Sequence, residues 1–118
     1  TDQEGIAIVV GKNNIQNQHI THQLAKHNEV WFHVKDAPGS HVVVRQPFPL
    51  EEHTIRTAAL LAAYFSKMRH SSSVHVDYTG VRNIQQIPGK ASNFVTYKNQ
   101  KTIYIDPSED AILAIKKT

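Results

Sequence analysis

Two β-prone runs in the middle of the chain carry side chains suited to binding an anion. The stretch from Trp31 to Arg45 reads WFHVKDAPGSHVVVR, and between its apolar positions it holds an indole, two imidazoles, an ammonium and a guanidinium. Arginine offers a planar fork to phosphate and lysine a point charge, while indole and imidazole rings can stack on an unpaired base. These residue types together predict a ligand with flat rings or phosphates.

The alternation within this stretch predicts that those side chains share one surface. Asp36-Ala37-Pro38-Gly39 is a turn sequence, so the flanking runs should pair as a hairpin in which odd and even positions face opposite ways. The even positions are Phe or Val and should form core. The opposite face then carries Trp31, His33, Lys35, His41, Val43 and Arg45. The alternative is a solvated sheet face whose tryptophan covers a neighbouring element.

Other constellations give weaker signals for chemistry. Gly11-Lys12 lacks the first glycine of a phosphate-binding loop, and a turn with an exposed lysine is the better interpretation. Ser40 and His41 are strand neighbours that should point to opposite faces, which argues against proton transfer between them. A hydrolase using His33 or His41 as a base remains a weak alternative, because no positioned partner is identifiable. We expect the domain not to be an enzyme.

Metal binding is also a minor alternative. His19 and His22 lie one helical turn apart and near His27, but no carboxylate or thiol sits at ligand spacing. The chain has no cysteine, which excludes disulfides, thiolate zinc sites and cysteine nucleophiles. We therefore expect neither a metal nor another cofactor.

Length and charge indicate one small soluble domain with an anionic partner. The 118 residues carry a formal charge of +3, and eleven Lys/Arg against five Asp/Glu lie between Lys12 and Lys101. No apolar run approaches the ~20 residues that a membrane helix needs, so no membrane insertion is expected. The start TDQEGIAIVVG has no initiating Met, and we expect residues 1–118 to be a module of a longer protein.

The elements that must position these side chains follow from periodicity. Two helices are predicted in the first part of the chain, a short one over Ile15 to Lys26 with Asn14 as N-cap and a long one over Glu51 to Arg69. Strands are predicted at Gly5 to Gly11, Val74 to Thr79, Val81 to Ile87, Phe94 to Lys98 and Thr102 to Asp106, with a final short helix over Glu109 to Lys117 capped by Ser108. The predicted fold is α+β, a mostly antiparallel mixed sheet with one long and one or two short helices on one face.

The same residues resemble a known family. The sequence is similar, over nearly its whole length and in the same order, to the NFACT-R domain, the C-terminal RNA-binding module of the fibronectin-binding protein A or RqcH-like family. The segments that carry the resemblance are GKNNIQN, THQLA, WFHVKDAPGSHVVVR, AAYFSKMR and VDYT. Positions matching the family signature, and so expected to contact RNA, are Lys12, Asn13, Asn14, Trp31, His33, Lys35, Ser40, His41, Arg45, Lys67 and Arg69, with Pro38 and Gly39 in the turn.

One segment departs from the family pattern. VRNIQQIPGKASNFVTY is less basic than expected of relatives, so the resemblance implies RNA contact there only at Arg82 and Lys90.

The resemblance implies a cytoplasmic protein of ribosome-associated quality control. Its partners would be large-subunit ribosomal RNA, tRNA and other domains of the parent chain, in a machine that adds C-terminal alanine to stalled chains in bacteria. The alternative implied by the family's historical name is a surface-displayed adhesion module that binds fibronectin.

Overall fold

The computed structural model describes residues 5–87 and 95–107, which form an α+β fold as the sequence predicts. Five antiparallel strands make the main sheet, and in spatial order they are β1 (Ile8–Val10), β3 (Val42–Val44), β2 (Val30–Val34), β4 (Val74–Gly80) and β7 (Lys101–Ile105). A second sheet pairs β5 (Ile84–Gln86) with β6 (Val95–Tyr97). The helices are α1 (Asn14–His19), which continues into a π-helical turn at Ile20–Leu24, and α2 (Glu52–Tyr64).

The predicted hairpin forms with the expected alternation. Phe32 of β2 faces Val42 of β3, and Val30 faces Val44. The even positions of both strands pack against the alanine-rich face of α2 in the larger core. Trp31 and Val43 enter a second, smaller core on the opposite face.

The short helical segment lies on the other side of the sheet from α2. Ile20 is buried with Trp31 and Val43, and Leu24 packs against the same cluster. The prediction that all helices share one face is therefore wrong in this detail, because the indole at position 31 is a large apolar surface that needs its own cover.

Several element boundaries differ from the sequence prediction. Asn13, not Asn14, is the N-cap of α1, and its side chain accepts a hydrogen bond from Gln16 N at 2.8 Å. The first strand is half-buried because β1 is an edge strand, paired only with β3 within the described residues. The long helix ends at Tyr64, five residues before the predicted end, so Lys67 and Arg69 lie beyond it.

The later strands pair in an order that the sequence does not reveal. The run after β4 first forms a 3-10 turn, Val81–Asn83, and only then strand β5. The strands on either side of Asn99 and Gln100 do not form a hairpin, since β6 pairs with β5 and β7 with β4. The predicted helix over Glu109 to Lys117 lies outside the described residues.

Across the described segments, 5–87 and 95–107, we find no helix with the length and apolar character to cross a membrane.

Candidate nucleic-acid interface

Three predicted cations meet at one end of the main sheet, and we call Lys12, Lys67 and Arg69 the basic corner. The chain after α2 turns back onto the hairpin turn: Ser40 N donates to Phe65 O at 3.0 Å, and Lys67 N donates to Pro38 O at 3.0 Å. Gly39 bridges Ser66 at this crossing. These bonds end the helix early and place Lys67 and Arg69 beside the turn.

Aromatic rings contact two of the three cations of the basic corner, Lys12 and Arg69. Lys12 Nζ lies 4.8 Å from the centroid of the Phe65 ring, and Arg69 Cζ lies 4.2 Å from that of Tyr64. The two rings contact each other edge to face at 5.1 Å. Within the described part of the chain, no carboxylate forms an ion pair with any cation of the basic corner. Among the described residues, the positive charge of the basic corner is therefore not offset by a paired carboxylate.

Asn17 fixes the loop that carries Lys12, and the sequence analysis did not single it out. It is 5 % exposed, accepts a hydrogen bond from His41 N at 3.0 Å and donates to Gly39 O at 3.4 Å. Gly11 lies so close that an added Cβ would overlap the Asn17 side chain. The only signal for this role in the sequence is that Asn17 follows the capping asparagine by one helical turn. Its burial, which makes its hydrogen bonds necessary, is visible only in the structure.

A pocket adjoins the basic corner, and we call it the ring pocket. It measures about 580 Å³. The residues that line it are Asn14, Trp31, His33, Val34, Asp36, Ala37, Pro38, Gly39, His41, Val95 and Tyr97.

Four rings form the wall of the ring pocket. His33 stacks on Trp31 with centroids 5.6 Å apart and an angle of 6° between planes. His41 meets both of these rings edge-on, at 5.4 Å and 5.3 Å. Tyr97 covers the indole at 4.9 Å. The sequence analysis missed Tyr97 because it comes from the second sheet.

Trp31 and His41 are not the exposed stacking surfaces that the alternation suggested. Trp31 is 0 % exposed and His41 2 % exposed. Thr21 Oγ1 and His41 Nδ1 share a hydrogen bond of 2.6 Å, so His41 ties the π-helical turn to the sheet. Trp31 Nε1 is buried and has no hydrogen-bond partner among the described residues. The smaller core thus buries two of the three rings that the hairpin was predicted to present, and His33 keeps partial exposure.

Buried polar groups hold the ring pocket in shape. Asp77 is 1 % exposed and accepts hydrogen bonds from Tyr97 Oη and Thr102 Oγ1, each at 2.7 Å. Burial and then this contact with Asp77 raise the pKa of Tyr97 above its usual range. Burial lowers the pKa of His33 below 6.5, which outweighs the opposing effects of backbone hydrogen bonding and of the Asp77 carboxylate.

The remaining predicted residues are dispersed. Arg45 is at the far end of the hairpin, where its Nε donates to both carboxylate oxygens of Glu29 at 3.1 Å. Lys35 is exposed beside His75, and Arg82 is exposed after β4. Asn14 lines the ring pocket, Asn13 caps α1 and Ser40 is buried under the basic corner. Lys90 lies outside the described residues.

The sequence analysis missed one exposed pair of stacked aromatic rings. Tyr104 is 62 % exposed and stacks on His75 with centroids 4.3 Å apart. It lies on the edge strand β7, on the sheet face that also carries Asp77. A period-two pattern alone does not distinguish such a pair from an ordinary edge-strand surface.

Comparison with known proteins gives a consistent family. Residues 1–96 match the family described as NFACT protein RNA binding domain. The chain is 47 % identical over 114 residues to the "Rqc2 homolog RqcH" of Bacillus subtilis (strain 168), and 47 % identical over 109 residues to that of Streptococcus suis (strain 05ZYH33). These matches cover 97 % and 92 % of this chain, which spans only 20 % of each relative.

A solved structure shares the fold. It is described as "The structure of the C-terminal of the fibronectin/fibrinogen-binding protein from Streptococcus suis (FBPS)". It is 46 % identical in sequence, with a TM-score of 0.86 over 92 % of this chain and 44 % of that one.

Proposed function

Because the chain belongs to the family of NFACT protein RNA-binding domains, we propose that it is an RNA-binding module whose phosphate contacts are made by the basic corner. The main support for this proposal is that Lys12, Lys67 and Arg69, which are separated in sequence, lie beside one turn. Among the described residues, no carboxylate is paired with them. Lysine and arginine that contact phosphates release condensed counterions, which supplies sequence-independent affinity.

The proposed setting is ribosome-associated quality control within a longer parent protein. The relatives named as Rqc2 homologs are about five times the length that this chain spans. We propose that the module helps its parent contact large-subunit ribosomal RNA and tRNA in the cytoplasm during alanine tailing of stalled chains. In this role the domain itself binds and does not catalyse, and other domains of the parent supply the selection of tRNA.

The test is fluorescence anisotropy of labelled tRNA against this chain at two salt concentrations. We expect affinity to fall with salt, and Lys12→Glu with Lys67→Glu to weaken binding and reduce the salt slope by roughly one to two units. The matched control is Lys26→Glu with Lys101→Glu, which changes the net charge equally. Lys26 is exposed after the π-helical turn, and Lys101 Nζ lies 5.9 Å from the Phe48 ring centroid, on the α2 face of the sheet.

The outcomes separate the site from bulk charge. Equal weakening by both pairs of substitutions would mean that net charge alone attracts RNA. Absence of tRNA binding by the unmodified chain at either salt would contradict the proposed function.

A second candidate function is adhesion to fibronectin from the cell surface, favoured by the similarity to the fibronectin/fibrinogen-binding protein from Streptococcus suis. It is tested by surface plasmon resonance with immobilised fibronectin. Saturable binding that the Lys12→Glu, Lys67→Glu variant retains would support a separate adhesive surface. Signal that disappears at raised salt and in that variant would identify nonspecific charge attraction.

A further inference from the structure

We propose that the ring pocket binds one unpaired base of an RNA strand while the basic corner holds the adjoining phosphates. The inference rests on the proposed RNA-binding function and assigns to it a second, base-contacting site. The family description names RNA as the ligand but no base pocket.

The size and position of the ring pocket fit a single nucleotide. Its volume of about 580 Å³ lies within the roughly 300–1,000 Å³ of small-molecule sites. It shares walls with the basic corner: Asn14 lies two residues after Lys12, and Pro38 O accepts the hydrogen bond from Lys67 N. A strand whose phosphates contact the basic corner can therefore place its next base in the pocket.

The rings of the pocket supply a stacking surface that is held rigidly. Trp31 supports one face of His33, and Tyr97 and His41 fix the indole in turn. His33 is partly exposed, unlike the rings beneath it. Burial lowers the pKa of His33, which favours the neutral imidazole, and a neutral ring can stack on a base. Base stacking on such rings tolerates any sequence but requires an unpaired base.

Asp36 gives the ring pocket a polar edge that favours a base with N–H donors. Its backbone has a φ of 57°, a left-handed conformation that Asp tolerates better than most residues. Its exposed carboxylate forms no ion pair among the described residues and accepts hydrogen bonds only. Guanine presents two adjacent N–H donors on one edge, so we expect guanine to bind best. In a duplex that edge is already paired, which disfavours double-stranded RNA.

The first measurement uses Trp31, the only tryptophan of the chain, as its reporter. Intrinsic fluorescence is followed while GMP, UMP or ribose 5-phosphate is added to the unmodified chain. We expect a saturable change with GMP at the lowest concentration, a weaker one with UMP and none with ribose 5-phosphate, which lacks a base. In Asp36→Asn the preference for GMP over UMP should shrink, with Glu52→Gln as the control on the first turn of α2.

The second measurement compares a labelled single-stranded RNA with a duplex of the same length. His33→Ala should weaken single-strand binding by at least about fivefold, equivalent to ~1 kcal/mol per stacked base, and leave duplex binding within about twofold. His33→Phe should restore single-strand binding, because it keeps the ring. His27→Ala, an exposed histidine on a turn, is the matched control.

Each outcome is decisive. The base pocket is overturned if His33→Ala weakens both RNAs equally, or if saturating GMP leaves Trp31 fluorescence unchanged; the proposed function survives either result when RNA still binds. Failure of the unmodified chain to bind both RNAs contradicts the proposed function itself. If His33→Ala does not fold, the GMP titration of the unmodified chain decides alone.

Discussion

Gly39 sets the distance between the hairpin turn and the segment after α2, and Gly39→Ala should disturb both stability and the basic corner. A Cβ built at Gly39 would lie 2.7 Å from Ser66 Cβ and 3.3 Å from Ser66 Cα. Neither atom is the end of a flexible side chain, so the backbone of Ser66 must move. That movement stretches the bonds from Ser40 N to Phe65 O and from Lys67 N to Pro38 O.

The cost has two components. Overpacking of a close contact costs about 1–3 kcal/mol, and each weakened backbone hydrogen bond forfeits up to about 1 kcal/mol. We therefore expect Gly39→Ala to lower the free energy of unfolding by roughly 2–4 kcal/mol. A small domain has only about 5–15 kcal/mol in total, so the protein should stay folded at 25 °C but melt earlier.

A double-mutant cycle in urea tests the reasoning. Ser66→Gly removes one clashing atom and also two hydrogen bonds of Ser66 Oγ, to Ala63 O and from Met68 N. If the steric contact is responsible, Gly39→Ala should cost at least about 1 kcal/mol less in the Ser66→Gly background than alone. Additive costs within about 0.5 kcal/mol would refute it. The affinity for tRNA should fall with Gly39→Ala, since the turn positions Lys67.

Three further predictions concern the groups around the ring pocket and the hairpin end. Tyr97→Phe removes a 2.7 Å bond to a buried carboxylate and should lower the free energy of unfolding by about 1.5–3 kcal/mol in urea, whereas Tyr104→Phe at an exposed ring should change it by less than ~0.5 kcal/mol. Burial lowers the pKa of His33, so this group should not affect folding stability above pH ~6.5. Below that pH the free energy of unfolding should fall as the pH drops toward the folded pKa, by at most ~1.4 kcal/mol per pH unit. His33→Phe should flatten this pH dependence in thermal melts, and an unchanged slope would contradict the prediction. Arg45→Gln leaves the carboxylate of Glu29, whose side chain is 8 % exposed, without its cation and should destabilise by roughly 1–3 kcal/mol, while tRNA affinity changes less than in the Lys12→Glu, Lys67→Glu variant.

The sequence predicted the hairpin well because its constraint is local. Alternation over Trp31 to Lys35 and the Pro-Gly turn determine which side chains share a face, and the observed register agrees. The sequence could not say what covers that face. The cover of Trp31 comes from Ile20, Val81 and Tyr97, whose arrival depends on long-range packing.

The end of α2 also could not be predicted from the local sequence pattern. Helical periodicity continues through Met68, so pattern alone extends the helix to Arg69. In the structure, Ser66 Oγ donates to Ala63 O at 2.6 Å, and Lys67 N pairs with the hairpin turn. A tertiary contact thus overrides a local preference, and that contact is what brings Lys67 to the basic corner.

These findings change which residues of the hairpin test function. The residue type of Arg45 predicts a direct phosphate ligand, yet its pairing with Glu29 makes a charge reversal there mainly a test of folding. His41 and Ser40 likewise hold the turn through Asn17, Thr21 and Phe65. Much of the stretch that carries the family resemblance is therefore occupied in building the turn. The cations of the basic corner lie on the two segments that pack against this turn, so RNA affinity should respond most to substitutions outside the hairpin strands.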